Sequence, residues 1–242
     1  MQEARKIALL IDCDNVSHTA IEGVLEELAK HGIVNVRHAH GDWNNPLLSG
    51  WVGKLHPHAI RPMQQFAYSK GKNATDSAMI IDAMDLLYSN NVDAFALMTS
   101  DSDFTPLVLR LHESGFPVYG FGGKKTPQPF VDACSPFIYI ENLESGDADK
   151  ADSPAPSARK TKAQLRQDTS LVKLLRTAVE QVADDDGWAN MGQVANYISN
   201  NNSSFSAVNY GYRRVSDLIR ASELFKIDMR NGTAMYIKDL RN

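Results

Sequence analysis

Two cysteines, Cys13 and Cys134, are too few for a disulfide framework and fit no zinc-ligand spacing. Such scarcity suits a reducing, cytoplasmic setting. Long apolar runs are missing too. Nothing approaches the roughly 18 to 20 uncharged apolar residues that cross a bilayer, and the opening MQEARKIALLIDCDN meets acids before any signal-peptide core could form. A membrane role is therefore not expected. Positive charge is also short, at 25 Lys and Arg against 29 Asp and Glu, which argues mildly against a polyanion-binding protein. Hydrophobic residues are not lacking: at 43% of the 242 residues they suffice for a sizeable core and exclude a disordered chain.

The charge is unevenly spread, with residues 1–144 at net −6 and residues 160–242 at net +3. Composition divides the chain at the same place. From Lys6 to Leu143, apolar runs at 6–12, 33–40, 59–66, 93–99, 117–122 and 137–142 alternate with helix-length segments, the pattern of βαβ units and a parallel sheet. Pro62 cannot donate to a strand ladder, so the third run belongs at an edge or in an extended turn. Residues 144–161, ESGDADKADSPAPSARKT, read as a linker. Beyond it come helix signals at Leu165 to Ala183, Met191 to Asn200 and Tyr212 to Ser222, then two alternating segments around Asn231-Gly232, a strong hairpin signal. Three helices and a hairpin outline a winged helix-turn-helix. The expected organisation is a domain at 1–144, a flexible linker at 145–164 and a small winged-helix domain at 165–242.

In a parallel α/β sheet the ligand crevice lies beyond the carboxyl ends of the strands, and acids recur there. The first run ends Asp12-Cys13-Asp14-Asn15 and the fourth ends Thr99-Ser100-Asp101-Ser102-Asp103; Asp76 opens the intervening helix. If these strand ends stay extended, Asp12 and Asp14 point the same way, as do Asp101 and Asp103. Asp82 and Asp85 lie about 240° and 180° round the helix from Asp76, so they belong elsewhere. The rest of that helix is apolar almost all round, which predicts packing on more than one side. Carboxylates converging within about 4 to 6 Å repel by about 4 kcal/mol per close pair at an effective dielectric near 20. Hard oxygen ligands of this kind suit Mg²⁺ or Mn²⁺, ions that activate water against a phosphoryl centre. Asn15, Thr99, Ser100 and Ser102 could support such a site. Lys70, Lys72, Lys124 and Lys125 lie in neighbouring loops where they could hold a polyanionic backbone. Single aspartates at strand ends also serve as caps and turn residues, Asp103 before FTPLVLRL being one example; the joint pattern is what favours a site.

At these residues the chain resembles the NYN domain, a PIN-like ribonuclease family. The likeness rests on KIALLIDCDNV, on KGKNATDSAMIIDAMDLLYSNNVDAFALMTSDSDFTPLVLRLHESGFPVYGFG and on PFIYIENL, and covers roughly residues 5 to 143. It implies a PIN-like α/β fold, a central parallel sheet flanked by helices, and metal-dependent hydrolysis of RNA phosphodiester bonds. Carried over by motif, Asp12, Asp76, Asp101 and Asp103 would be the metal-binding, catalytic acids, with Asn15 and Ser100 supporting; Asp82 also matches a recurrent position. Residues 185–238 resemble an OST-HTH, or LOTUS, domain in their GW opening, NYGYRRVSDLI core and terminal hairpin. That likeness implies binding of RNA, here single-stranded, or docking of a protein adaptor. The order of the two domains resembles bacterial limkain-type proteins. Arg213, Arg214 and Arg220, with Tyr210 and Tyr212 nearby, are the RNA-binding candidates of this part; the alternative is that Tyr212, Val215, Leu218 and Ile219 form a buried stripe and the arginines are merely solvated.

Other signals are weaker. Asp-x-Asp after a first strand is also found in haloacid-dehalogenase phosphatases, but the expected later lysine and acid pair is not evident. His38 with His40, and His56 with His58, have i, i+2 spacing without a third ligand at readable distance. GFGGKK lacks Walker spacing. The alternatives to a metal-dependent endoribonuclease are a regulatory RNA-binding protein without catalysis and, behind it, a haloacid-dehalogenase-like phosphatase, the runner-up enzyme.

Overall fold

The computed structural model describes residues 4–66, 74–143, 159–202, 204–230 and 234–241. The chain forms two compact units, Met1–Asp152 and Ser153–Asn242. Among the described residues, no helix is long and apolar enough to cross a membrane.

The first unit runs β1 (Lys6–Asp12), α1 (Ile21–Leu28), β2 (Ile33–Gly41), α2 (Ser49–Leu55), β3 (Arg61–Gln64), α3 (Ala74–Tyr88), β4 (Ala94–Met98), α4 (Thr105–Glu113), β5 (Val118–Gly122), α5 (Gln128–Ala133) and β6 (Phe137–Tyr139). Six strands form one sheet in the order β3-β2-β1-β4-β5-β6, and every neighbouring pair is parallel. This is the PIN-like α/β sheet expected from the alternation of apolar runs. Residues Ile7 to Asp12 are all buried, which requires cover on both sheet faces and explains why β1 is a continuous apolar run. On one face, Ala8, Leu10, Phe95 and Leu97 pack with Met79, Ala83 and Leu87 of α3 and with Leu107, Val108 and Leu111 of α4. Pro62 sits in β3 at the sheet edge, opposite Ala39. Strand order reverses between β1 and β4, and their carboxyl ends open side by side at this switch point.

Three expectations are corrected. The sixth run is extended only to Tyr139, because residues 140–142 turn into a single 3-10 coil. Helix α3 is not covered all round: Ile81 and Tyr88 are 61% and 67% exposed. The chain does not stay extended after Asp12 either. The amides of Asn15 and Val16 both return to the Asp12 carbonyl, closing a turn that leaves Asp12 buried and Asp14 exposed.

The second unit comprises α6 (Lys162–Gln167), α7 (Thr169–Val182), β7 (Ala189–Asn190), α8 (Met191–Asn201), α9 (Val215–Ser222), β8 (Phe225–Arg230) and β9 (Ala234–Asp239). Helix α6 begins within the segment expected as linker, since Thr161 and Gln164 form a capping box that opens it. Asp168 then breaks the expected single helix: it leaves helical geometry and its side chain caps α7 through the Leu171 amide. Strands β7-β9-β8 form an antiparallel sheet, and its inner face, with Ile237 and Phe225, packs on Leu175, Val194, Ile198, Leu218 and Ile219. The result is a small winged helix; Asn231-Gly232 lies outside the described residues.

Candidate active site

Asp12 ends β1 with its carboxylate buried beside the end of β4. Thr99, fully buried, donates its hydroxyl to Asp12 Oδ2 at 2.8 Å, and the same Thr99 Oγ1 accepts the Asp101 amide at 3.1 Å. One threonine thus fixes two acids on neighbouring strands. Asp101 caps the following turn through the Asp103 amide at 2.9 Å, so the capping role falls to Asp101 rather than to Asp103. Asn15 Oδ1 accepts the Ser100 amide at 2.9 Å, and Ser100 Oγ accepts the Gly123 amide at 2.8 Å. These bonds tie together the loops after β1, β4 and β5. Gly122 allows the close approach, because a Cβ there would lie 2.5 Å from the Thr99 carbonyl oxygen.

Asp76, in the first turn of α3, faces the same rim. Burial raises its carboxyl above the ordinary range, and the negative charges of Asp101, Asp103 and Asp14 add to the effect. Asp12 is shifted further, to about 7: burial is the main cause, the Thr99 hydrogen bond opposes it, and Asp76, Asp14 and Asp101 reinforce it. The structure thereby brings Asp12, Asp76, Asp101 and Asp103 into one electrostatic cluster. Asp14 belongs to it as well and accepts the Thr75 hydroxyl at 2.9 Å. Such a donor set has the chemistry of a hard divalent cation's ligands, since it offers carboxylate oxygens alone and their charges act on one another. Cys13, between Asp12 and Asp14, is buried, and its thiol is pushed up by burial and by both acids, away from nucleophilic use.

Lys124 and Lys125 are exposed on the loop after β5. The Lys124 amide donates to Glu141 Oε1 at 2.9 Å, so Glu141 shapes this loop. Glu141 falls under the same rule as the other acids, because it lies at the end of the sixth apolar run, just past β6. Lys70 and Lys72 lie outside the described residues.

Asp82 faces away from the cluster, as its helical phase requires, and finds partners on β2. His38 Nδ1 and His40 Nε2 lie 2.7 and 3.0 Å from Asp82 Oδ2. Burial works against the charged carboxylate, but the two imidazoles outweigh it and hold Asp82 well below the usual carboxylate range. The three groups have metal-ligand chemistry. Distances this short to a single oxygen are those of hydrogen bonds, and a cation on His40 Nε2 would force a buried, partnerless N–H at Nδ1. Asp82 therefore pins α3 to β2.

In the second unit, Arg213 and Arg214 are exposed but precede α9, which starts at Val215 with Arg214 as its flanking residue. Gly211, at a φ of 81°, makes that turn. Of the three candidate arginines only Arg220 is on the helix, leaning on Met235 Sδ at 3.5 Å. Tyr212 is buried and donates its hydroxyl to the Lys160 carbonyl at 2.8 Å, which removes it as a stacking surface.

A family model described as the NYN domain matches residues 6–141. Another, described as the OST-HTH/LOTUS domain, matches residues 165–237. Among solved structures, a protein of unknown function from Vibrio parahaemolyticus aligns over 58% of this chain and 95% of its own, at 22% identity and a TM-score of 0.49. An uncharacterised protein from Nitrosomonas europaea aligns over 38% of this chain and 90% of its own, at 31% identity and a TM-score of 0.29. A search of curated proteins finds no match. The first family match spans more than half of the chain, from β1 to the turn after β6: the chain belongs to the NYN family, a PIN-like nuclease family, and carries an OST-HTH/LOTUS domain, a type that binds RNA.

Proposed function

We propose that the chain is a cytoplasmic, metal-dependent endoribonuclease that hydrolyses phosphodiester bonds of single-stranded RNA. Residues 1–144 cut, and residues 165–242 bind RNA. The observation that carries this is the electrostatic coupling of acids beside the switch point of the sheet: Asp12 is shifted up by burial and by Asp76, Asp14 and Asp101, and Asp76 by burial and by Asp101, Asp103 and Asp14. Asp12, Asp76, Asp101 and Asp103 would hold Mg²⁺ or Mn²⁺. Such an ion, when bound, supplies charge neutralisation at the phosphoryl group and a more acidic water.

The chain's own residues do the positioning. Thr99 occupies Asp12 Oδ2 and leaves Oδ1 for a ligand. The same hydroxyl holds the backbone of Asp101, and Asn15 and Ser100 keep the three loops in register, so the acids keep their places when RNA arrives. Lys124 and Lys125, with Lys70 and Lys72, would take flanking phosphates. Arg213, Arg214 and Arg220 would add phosphate contacts from the second domain.

Purified protein is incubated with end-labelled single-stranded RNA in Mg²⁺, in Mn²⁺ or in chelator, beside Asp101→Asn. Asparagine keeps the cap on the Asp103 amide, so the variant should fold and bind RNA but not cut it. Cleavage at the parent rate by Asp101→Asn, in a preparation cleared of contaminating nuclease, would overturn the assignment. If instead the RNA affinity and salt dependence of the parent owe nothing to the second domain, that domain docks a protein adaptor.

A further inference from the structure

The outer face of the β7-β9-β8 sheet has no part in the core. Ala189, Met235 and Ile237 point inward and are buried, so Trp188, Tyr236 and Lys238, which alternate with them, point outward. The register adds Lys226, Asp228 and Arg230 of β8, opposite Lys238, Tyr236 and Ala234. On this face the Arg230 guanidinium lies 5.2 Å from the centre of the Trp188 ring and 4.3 Å from that of Tyr236. Lys226 Nζ lies 6.0 Å from the Trp188 ring. On this face the strands carry three cations and one acid, Asp228, which is paired with Arg230 at 3.2 Å; Lys238 Nζ donates one hydrogen bond to the Asp186 carbonyl at 2.8 Å and has two further N–H donors.

We infer that this face stacks unpaired bases of RNA on the surface made by Trp188, Arg230 and Tyr236, while Lys226 and Lys238 take the flanking phosphates. Stability alone does not call for two large aromatic rings on the outer side of a three-stranded sheet. Two rings that share one guanidinium offer flat π-surfaces on one face, the chemistry that holds bases without regard to sequence. On the strands of this face cations outnumber acids, which suits a polyanion. The face differs from the arginine cluster in location: Arg220 touches Met235, whose side chain is on the opposite side of β9 from Tyr236. The inference rests on the RNA-binding role of the second domain and specifies where bases, as distinct from phosphates, are held.

The full-length chain, in chelator to prevent cutting, is titrated into a fluorescein-labelled unstructured RNA of about twelve nucleotides, read by anisotropy. Trp188→Leu and Tyr236→Leu should each weaken binding about fivefold or more, since one base–aromatic stack is worth ~1–3 kcal/mol. Tyr236→Phe should bind like the parent. The slope of log affinity against log salt should stay unchanged in all three. An abasic ribose-phosphate strand of equal length should not distinguish the leucine variants from the parent. Parent-like affinity of both leucine variants, or an equal loss on the abasic strand, overturns the inference and leaves the RNA-binding role intact; failure of the parent to bind RNA at all overturns that role and the inference with it. A second measurement needs no variant. RNA carrying 4-thiouridine, crosslinked to the unaltered chain, should form adducts in peptides containing Trp188 or Tyr236, and adducts confined to other peptides would refute the proposal.

Discussion

Replacing Asp12 by asparagine should stabilise the metal-free protein, and the gain should grow with pH across a defined window. Asp12 is 2% exposed, and its carboxyl lies at about 7 instead of 3.8. Between those values the unfolded chain has lost a proton that the folded chain retains, so stability falls as pH rises. Below about pH 4 both states are protonated and there is no penalty; above about pH 7 both are ionised and the penalty is complete. Roughly three pH units at 1.36 kcal/mol each amount to about 4 kcal/mol. Asparagine removes the charge and keeps an oxygen for the Thr99 hydroxyl. Its amide hydrogens need acceptors, so about 4 kcal/mol is an upper bound. For a domain near 150 residues this corresponds to a rise in Tm of roughly 10 °C at pH 8 and only about 3 °C at pH 4.5. Asp76, raised in the same direction, is present in both proteins and largely cancels. The assay is thermal unfolding of parent and variant in chelator at pH 4.5, 6, 7 and 8. Mn²⁺ at ~100 times its dissociation constant should then return about 2.7 kcal/mol to the parent and much less to the variant. A Tm difference that is flat over this pH range, or a variant less stable than the parent at pH 8, would refute the placement of Asp12 in a repelling, desolvated cluster.

Asp82→Ala should cost about 1–3 kcal/mol in denaturant unfolding, because His38 and buried His40 lose a shared acceptor, whereas Asp82→Asn should cost less; equal stability of parent and alanine variant would dismiss the bridge. Changing Arg213, Arg214 and Arg220 together to alanine should flatten the slope of log affinity against log salt by about 2 units, at ~0.7 per phosphate contact on a single strand. An unaltered slope would remove these arginines from the RNA interface.

The alternation of strands and helices was open to inspection because it depends on local apolar runs, and Pro62 marked the sheet edge through a missing donor. Acids at strand ends could be picked out for the same reason: the carboxyl ends of parallel strands have a fixed relation to the crevice. What stayed hidden depended on partners far along the chain or on the backbone of a single turn. Nothing in the spacing of His38 and His40 announces Asp82, 44 and 42 residues away. Whether Asp101 or Asp103 caps the turn after β4 is decided by backbone angles at one residue, and composition does not encode these. The arginines looked helical because the buried stripe of Tyr212, Val215, Leu218 and Ile219 continues through the turn; Gly211 in left-handed geometry starts the chain on a different course. That Trp188 and Tyr236 share a face was hidden for a further reason. Their separation in sequence is closed only by the pairing of β7 with β9.

The bonds from Thr99 to Asp12 and from Ser100 to Asn15 join residues 87 and 85 positions apart, across strands that touch in the sheet. A nascent chain that has made β1, β2 and β3 holds Asp12 but neither the threonine that fixes it nor the second pair of acids. Because β4 inserts beside β1 in the interior of the sheet, the acidic cluster assembles only when that long-range pairing forms, a slow kind of event in folding. The cluster is thus a late product of folding: a partly synthesised or partly unfolded chain holds some of its acids but not the bonds that fix them in place.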